Sequence, residues 1–315
     1  MRWTIIAVAL VLASSASAGR TGGTPVAIVT AEQQNAVFAV ELPSGKVLRQ
    51  ASVAADPQNV AIGRDAIVVV SPATGTVTLL DPRTLRTLKV LHDFGAPHIV
   101  AVSRAGRLAY VTDDVRGELD VIALGTRRIV RRVAVGPGAH HMGISPSGNR
   151  LWIALGEHAT AIAIVDLSRP SRPRLLRRFS PGFVAHDVTF SPGRHRVWVT
   201  SGVGEMVYAL DARTGRRILT VRVGPAPQHV AFAEGGFAYA TSGYGGRLVK
   251  IDPRSGRILA TARTPYGSFN LSTIGDLVVT TSLMSGRVSE FALDLHRLST
   301  FKAARASRAV ALTVW

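Results

Sequence analysis

The chain of 315 residues contains no cysteine. That excludes disulfide staples, thiol nucleophiles, thiolate metal centres and a lipid carried on a cleavage-site cysteine. Aromatic residues make up only 6% of the sequence. They do not interleave with the basic side chains as a stacking ladder, so no specific nucleic-acid surface is expected. Acidic residues are scarce as well: 20 Asp and Glu face 37 Lys and Arg, a formal net charge of +17 carried far more by arginine than by lysine. No stretch is long enough to span a bilayer, so no transmembrane segment is expected in the mature chain. The first residues read as a secretory signal. Arg2 gives a positive start, Ile5 to Ala13 is apolar but short, and Ala16-Ser17-Ala18 before Gly19 suits small-residue cleavage. The expectation is a signal peptide over residues 1–18, one domain over 19–315, and a secreted address, extracellular or periplasmic.

What is present is a repeat. A short apolar segment recurs about every 41 residues: PQNVAIG from Pro57, PHIVAVS from Pro97, AHHMGIS from Ala139, AHDVTFS from Ala185, PQHVAFA from Pro227, SFNLSTI from Ser268 and SRAVALT from Ser307. A period of this length, filled with short Val-, Ala-, Thr- and Ile-rich strands, predicts an all-β, seven-bladed β-propeller with four-stranded blades. In the unit from Pro97 the strands read His98–Ser103, Arg107–Thr112, Glu118–Leu124 and Arg128–Val135, punctuated by Gly and Pro. The centre of the first strand is small throughout: Ala61, Ala101, Gly143, Thr189, Ala231, Ser272 and Ala311. Blades converge on an axis, which leaves their innermost strands little room. Asp81, Asp166, Asp211, Asp252 and Asp294 end the third strands and suit turn capping better than catalysis. Pro25 to Ala54 supplies only three strands, and Arg308 to Val314 supplies the missing first one. The two ends are therefore expected to share a blade, leaving no open sheet edge.

The second strands LAYVTD from Leu108, RVWVTS from Arg196 and FAYATS from Phe237 resemble the YVTN-type β-propeller repeat family. So do the turns Ile144-Ser145-Pro146-Ser147-Gly148 and Leu210-Asp211-Ala212-Arg213-Thr214-Gly215. The resemblance covers essentially the whole mature chain and implies a secreted or cell-surface propeller. The motif tyrosine is replaced by tryptophan in two units. A remoter resemblance is to the propellers of nitrous oxide reductase, streptogramin lyases and lactonases; the first has a ring of histidines around a copper cluster, which this chain does not reproduce, since Gln, Phe269 and Arg308 stand in some blades.

Ligands of propellers gather at one mouth of the central channel, and this chain concentrates unusual residues there. Of its nine histidines, His98, His140, His141, His186 and His229 fall at first-strand starts. Asp187 and Arg308 share those positions in other registers, and Asp113, Asp114, Glu157 and His158 lie in loops of the same mouth. Neutral imidazoles with carboxylates suit a divalent metal ion, with His98, His140, His186 and His229 as candidate ligands. The same groups suit hydrogen bonds to a small molecule, peptide or protein, or structural ties between blades. A sequential His186-Asp187 pair on a strand points to opposite faces, which argues against a catalytic relay. The leading expectation is a binding or interaction scaffold. The alternatives are a metal-dependent lyase or lactone hydrolase at the same mouth, and a binder of anionic cell-envelope polymers through the arginine rim.

Overall fold

The computed structural model describes residues 23–193 and 195–315; the expected signal segment lies outside them. Alternating apolar strands that cannot bury both faces alone stack here as seven four-stranded antiparallel sheets. Blades one to six occupy 59–91, 97–134, 139–179, 188–222, 227–263 and 268–302. Blade seven joins the chain ends: Ser307–Val314 is its innermost strand, followed outward by Pro25–Ala31, Ala36–Glu41 and Val47–Ser52. Ile28 pairs with Ala311 and Val29 with Val310, so the expected closure is present in register. Among the described residues no helix is long and apolar enough to cross a membrane.

The core is divided among the blade-to-blade interfaces. Between blades one and two, for example, Val68, Val70, Val77 and Leu79 meet Val100, Val111 and Ile122. The convergence expected at the axis is also real: a Cβ on Gly143 would run into the Val188 carbonyl oxygen of the next blade. Tyr110 and Tyr239 of the second strands reach out of their own blades, their hydroxyls donating to the carbonyls of Pro170 (2.9 Å) and Leu293 (2.7 Å). Trp152 and Trp198 replace that bond with edge-on packing against Phe190 and Phe232 of the following blade. The third-strand aspartates cap turns as expected; Asp211, for instance, accepts from the backbone of Arg213 and Thr214.

One recurrent bond fixes the mouth. A threonine near the end of the second strand, two residues after an aromatic in three of the four blades, donates its hydroxyl to a carbonyl at the start of the next blade's first strand. Thr112 binds His140 O (2.6 Å), Thr200 binds Gln228 O (2.8 Å), Thr241 binds Phe269 O (2.5 Å) and Thr281 binds Arg308 O (2.9 Å). Three of these hydroxyls also accept an N–H from their own first strand, from Ile99, Asp187 and His229. Each buried hydroxyl thus ties two blades together. Blade three has Ala154 at this position.

Candidate functional site

The first strands carry an irregularity at their mouth ends. Pairing slips between Pro97 and Val100, between Ala139 and Met142, between Pro227 and Val230, and between Ser268 and Asn270. A bulge defeats the strict alternation of side chains along a strand. Consecutive residues therefore face the channel together: His140 with His141, Gln228 with His229, Phe269 with Asn270. These pairs, with His98 and His186, line a cavity of about 650 Å³ that is also bordered by Gln58, Asn59, Glu157, His158 and Arg308.

The five imidazoles form one contiguous cluster. His98 stacks on His140, with ring centroids 3.7 Å apart and planes at 15°. His141 is the hub: its ring lies 5.3 Å from His98, 4.8 Å from His140, 4.2 Å from His186 and 5.1 Å from His229. Two triads, His98–His140–His141 and His141–His186–His229, bring their ring nitrogens within 4.8 Å of one another.

Oxygen atoms stand behind these rings. Asp114 Oδ2 accepts from His140 Nδ1 at 2.7 Å, and the Glu157 carbonyl accepts from His186 Nδ1 at 3.3 Å. Asp187 is buried between two rings, 3.6 Å from His141 Nδ1 and 3.4 Å from His229 Nδ1. Where the acceptor bonds Nδ1, as at His140 and His186, it favours the Nδ1–H tautomer and leaves the Nε2 lone pair free for a ligand. Burial holds the His98 imidazole well below the usual range, and the charges of His140 and Arg308 add to the effect. Burial, then the charge of His186, does the same to His141. Burial and the charge of His229 push His186 down to about 4. Burial alone would raise the Asp187 carboxyl, but the charge of His229 and contacts from His141 and His229 outweigh it and keep Asp187 ionised, well below the usual carboxylate range. Asp187 also accepts from the backbone N–H of Val230 (3.3 Å) and the Thr189 hydroxyl (3.4 Å).

Most residues singled out in the sequence meet at this cavity. His98, His140, His141, Glu157, His158, His186, His229 and Arg308 line it. Asp114 and Asp187 stand behind the rings. Asp113 is the correction. Its carboxylate is fully buried and accepts from the backbone of Gly95 (2.6 Å) and Ala96 (3.0 Å), so it braces a neighbouring loop rather than facing the cavity. The reason is register: Asp113 ends its strand opposite Pro97, and only the next residue turns toward His140. Arg308 lies 3.4 Å from Glu32, whose carboxyl is raised by burial and only partly drawn back down by the arginine.

Sequence reasoning missed the apolar half of the rim. Val203, Tyr244 and Met284 border the cavity and are 57%, 50% and 55% exposed. Tyr244 packs edge-on to Phe269 with centroids 4.9 Å apart, and Tyr266 stands beside it. The signal was there. Val203, Tyr244 and Met284 each lie two residues beyond a Thr-Ser pair at the close of a second strand, Thr200 being the last strand residue in the first case.

No curated protein matches the chain. The family model of the cytochrome D1 heme domain matches residues 62–168. Solved structures match over nearly the whole length. A functionally unknown protein from Desulfotomaculum acetoxidans is 13% identical, with a TM-score of 0.78 over 91% of this chain and 98% of that one. Dihydro-heme d1 dehydrogenase NirN in complex with DHE is 15% identical, with a TM-score of 0.66 over 89% of this chain and 63% of that one. A putative 6-phosphogluconolactonase from Bacteroides fragilis is 14% identical, with a TM-score of 0.74 over 94% and 99%. At these identities the likeness is one of fold: the chain is a seven-bladed propeller similar to members of these groups.

Proposed function

We propose that this protein is an exported propeller that binds a divalent transition-metal ion of the zinc, copper or nickel class at its histidine mouth. The observation that carries the reading is the cluster of five imidazoles from four blades, four of them with an oxygen facing Nδ1. Metal-ligating histidines are oriented in this way, by acceptors behind the ring that leave Nε2 free and raise its basicity. Burial keeps His98, His141 and His186 neutral, the form in which imidazole ligates. With no thiolate available, an all-nitrogen or nitrogen–carboxylate set suits these borderline metals. Export rests on the signal-like start of the sequence.

A tetrapyrrole fits the site poorly. A metallated macrocycle takes one or two axial imidazoles, whereas here five form one chain of neighbours, each ring within 5.3 Å of His141 at its centre. The cavity does leave room for a small molecule beside the ion, which supports a second reading as a lyase or lactone hydrolase. Among the described residues no Ser, Thr or Tyr hydroxyl bonds to the five rings to serve as an activated nucleophile, so any hydrolytic power would come from metal-bound water.

The test is metal analysis of protein exported by its native signal, followed by calorimetric titration of stripped protein with Zn²⁺, Cu²⁺ and Ni²⁺. Stoichiometric binding of at least one of them, lost on replacing the histidines, supports the reading. Absence of binding by all three overturns it.

A further inference from the structure

Resting on that metal-binding reading, we infer that the mouth holds one ion in either of two adjoining seats that share His141, with His141–His186–His229 as the preferred seat. Zinc–nitrogen bonds are about 2.0–2.1 Å, so rings ligating one tetrahedral ion stand with centroids roughly 5 Å apart and planes mutually tilted. The triad of His141, His186 and His229 comes near this, with centroids 4.2, 5.1 and 6.1 Å apart and planes at 48–55°. The other triad does not. His98 and His140 are nearly parallel at 3.7 Å, so their in-plane lone pairs lie in separate, nearly parallel planes and do not meet at one point. Occupying that seat requires the two rings to unstack.

His141 links the seats. Its buried Nδ1 faces the Asp187 carboxylate at 3.6 Å, which favours the proton on that nitrogen and leaves Nε2 as the donor for either ion position. One lone pair serves one ion at a time, which makes the seats mutually exclusive. The carboxylates follow the division: Asp187 backs the preferred seat through His141 and His229, and Asp114 backs the second through His140. An ion changing seats keeps His141 as a ligand, its ring turning to carry the lone pair across, while the other two ligands are exchanged. The arrangement is therefore a two-position device for passing an ion across the mouth without releasing it to water.

The experiment titrates Co²⁺ and Zn²⁺ into stripped full-length protein, reading stoichiometry by calorimetry and geometry by the visible bands of tetrahedral Co²⁺. The wild type should bind one ion. The double variant His98→Ala/His140→Ala should keep one ion, a tetrahedral spectrum and an affinity within ~10-fold of wild type, a margin comparable to losing outer support of a site. The pair His186→Ala/His229→Ala should also keep one ion, but roughly 100-fold more weakly and with an altered spectrum. His141→Gln, which keeps a polar side chain in that place, should lose more than either pair. Two ions in the wild type, loss of binding in His98→Ala/His140→Ala, or a His141→Gln variant no weaker than the double variants would each overturn the two-seat scheme while leaving metal binding itself intact. A wild type that binds neither ion removes the two-seat scheme, and the metal-binding reading falls with it only when Cu²⁺ and Ni²⁺ also fail to bind.

Discussion

The two sides of the mouth are built on one frame and carry different chemistry. From blade two to blade five the first-strand starts present His98, His140, His141, His186 and His229. From blade six through seven to one they present Phe269, Asn270, Arg308, Gln58 and Asn59. The backbone beneath both sides is held alike. The Thr112 hydroxyl fixes the carbonyl of His140 just as Thr241 fixes that of Phe269 and Thr281 that of Arg308. The proposed metal binding therefore rests on the side chains placed on the frame, not on the fold. That is why propellers of matching shape reveal so little about function here.

The comparison breaks most completely if the frame itself is opened. Removing Arg308 to Trp315 takes away the innermost strand of blade seven and leaves Pro25–Ala31 as an exposed edge. Loss of cooperative thermal unfolding, or aggregation, is expected on both sides of the mouth at once. A truncated protein that melts like the full chain would show that the closure contributes little.

The next largest effect separates the sides. Replacing His140 and His186 together by Ala strikes each triad once. Zinc affinity should fall at least ~100-fold, about 3 kcal/mol, while stability without metal changes by about 1 kcal/mol. A metal-free stability loss of several kcal/mol would show these histidines to be structural ties.

Acid should act on the histidine side first. In the unfolded chain an imidazole takes up its proton near 6.5, whereas folded His186 resists down to about 4. Between those values the unfolded state binds the extra proton, so stability falls as pH drops from about 6.5 toward 4 and is flat for this group above 6.5. The loss should be on the order of 1–3 kcal/mol near pH 4. His98 and His141 shift in the same direction and steepen the decline. Urea titrations at pH 7.5, 6 and 4.5 check this, and the slope should shrink in the variant lacking His140 and His186.

The fold was legible because each blade repeats the same few demands, small residues at the axis and aspartate in the turns, and because the blade left incomplete at one chain end finds its missing strand at the other. The gathering of the histidines was legible for the same reason, since equivalent positions of a ring must meet. The details of the site were not. Asp113 and Asp114 are neighbours in sequence, and only the strand end decides that the first braces a loop and the second holds His140. That His140 and His141 face the cavity together depends on a bulge, which a strictly alternating pattern hides. The motif threonine reads as an ordinary strand former until its hydroxyl is seen reaching the next blade.

Two smaller effects sharpen the comparison. Thr112→Val and Thr281→Val each remove one interblade bond, the first under His140 and the second under Arg308. Each should cost about 1 kcal/mol in chemical denaturation, but only the first should weaken zinc binding. Equal weakening by both would mean the sides are mechanically coupled. Last, Arg308→Gln removes a positive charge near His98. Zinc affinity should rise by no more than a few-fold, given the partial exposure of Arg308 and its partner Glu32. A fall in affinity would show that Arg308 orders the site rather than opposing a cation.

The threonine bonds have a consequence for how such a molecule can change over evolutionary time. They grip the main chain of the following blade and leave its side chain unconstrained, so the residue presented at the opening can be exchanged without disturbing the joint that holds it. A mutation there alters what the opening recognises but leaves the ring standing. New specificities can be tried one blade at a time, and failed trials cost binding rather than folding.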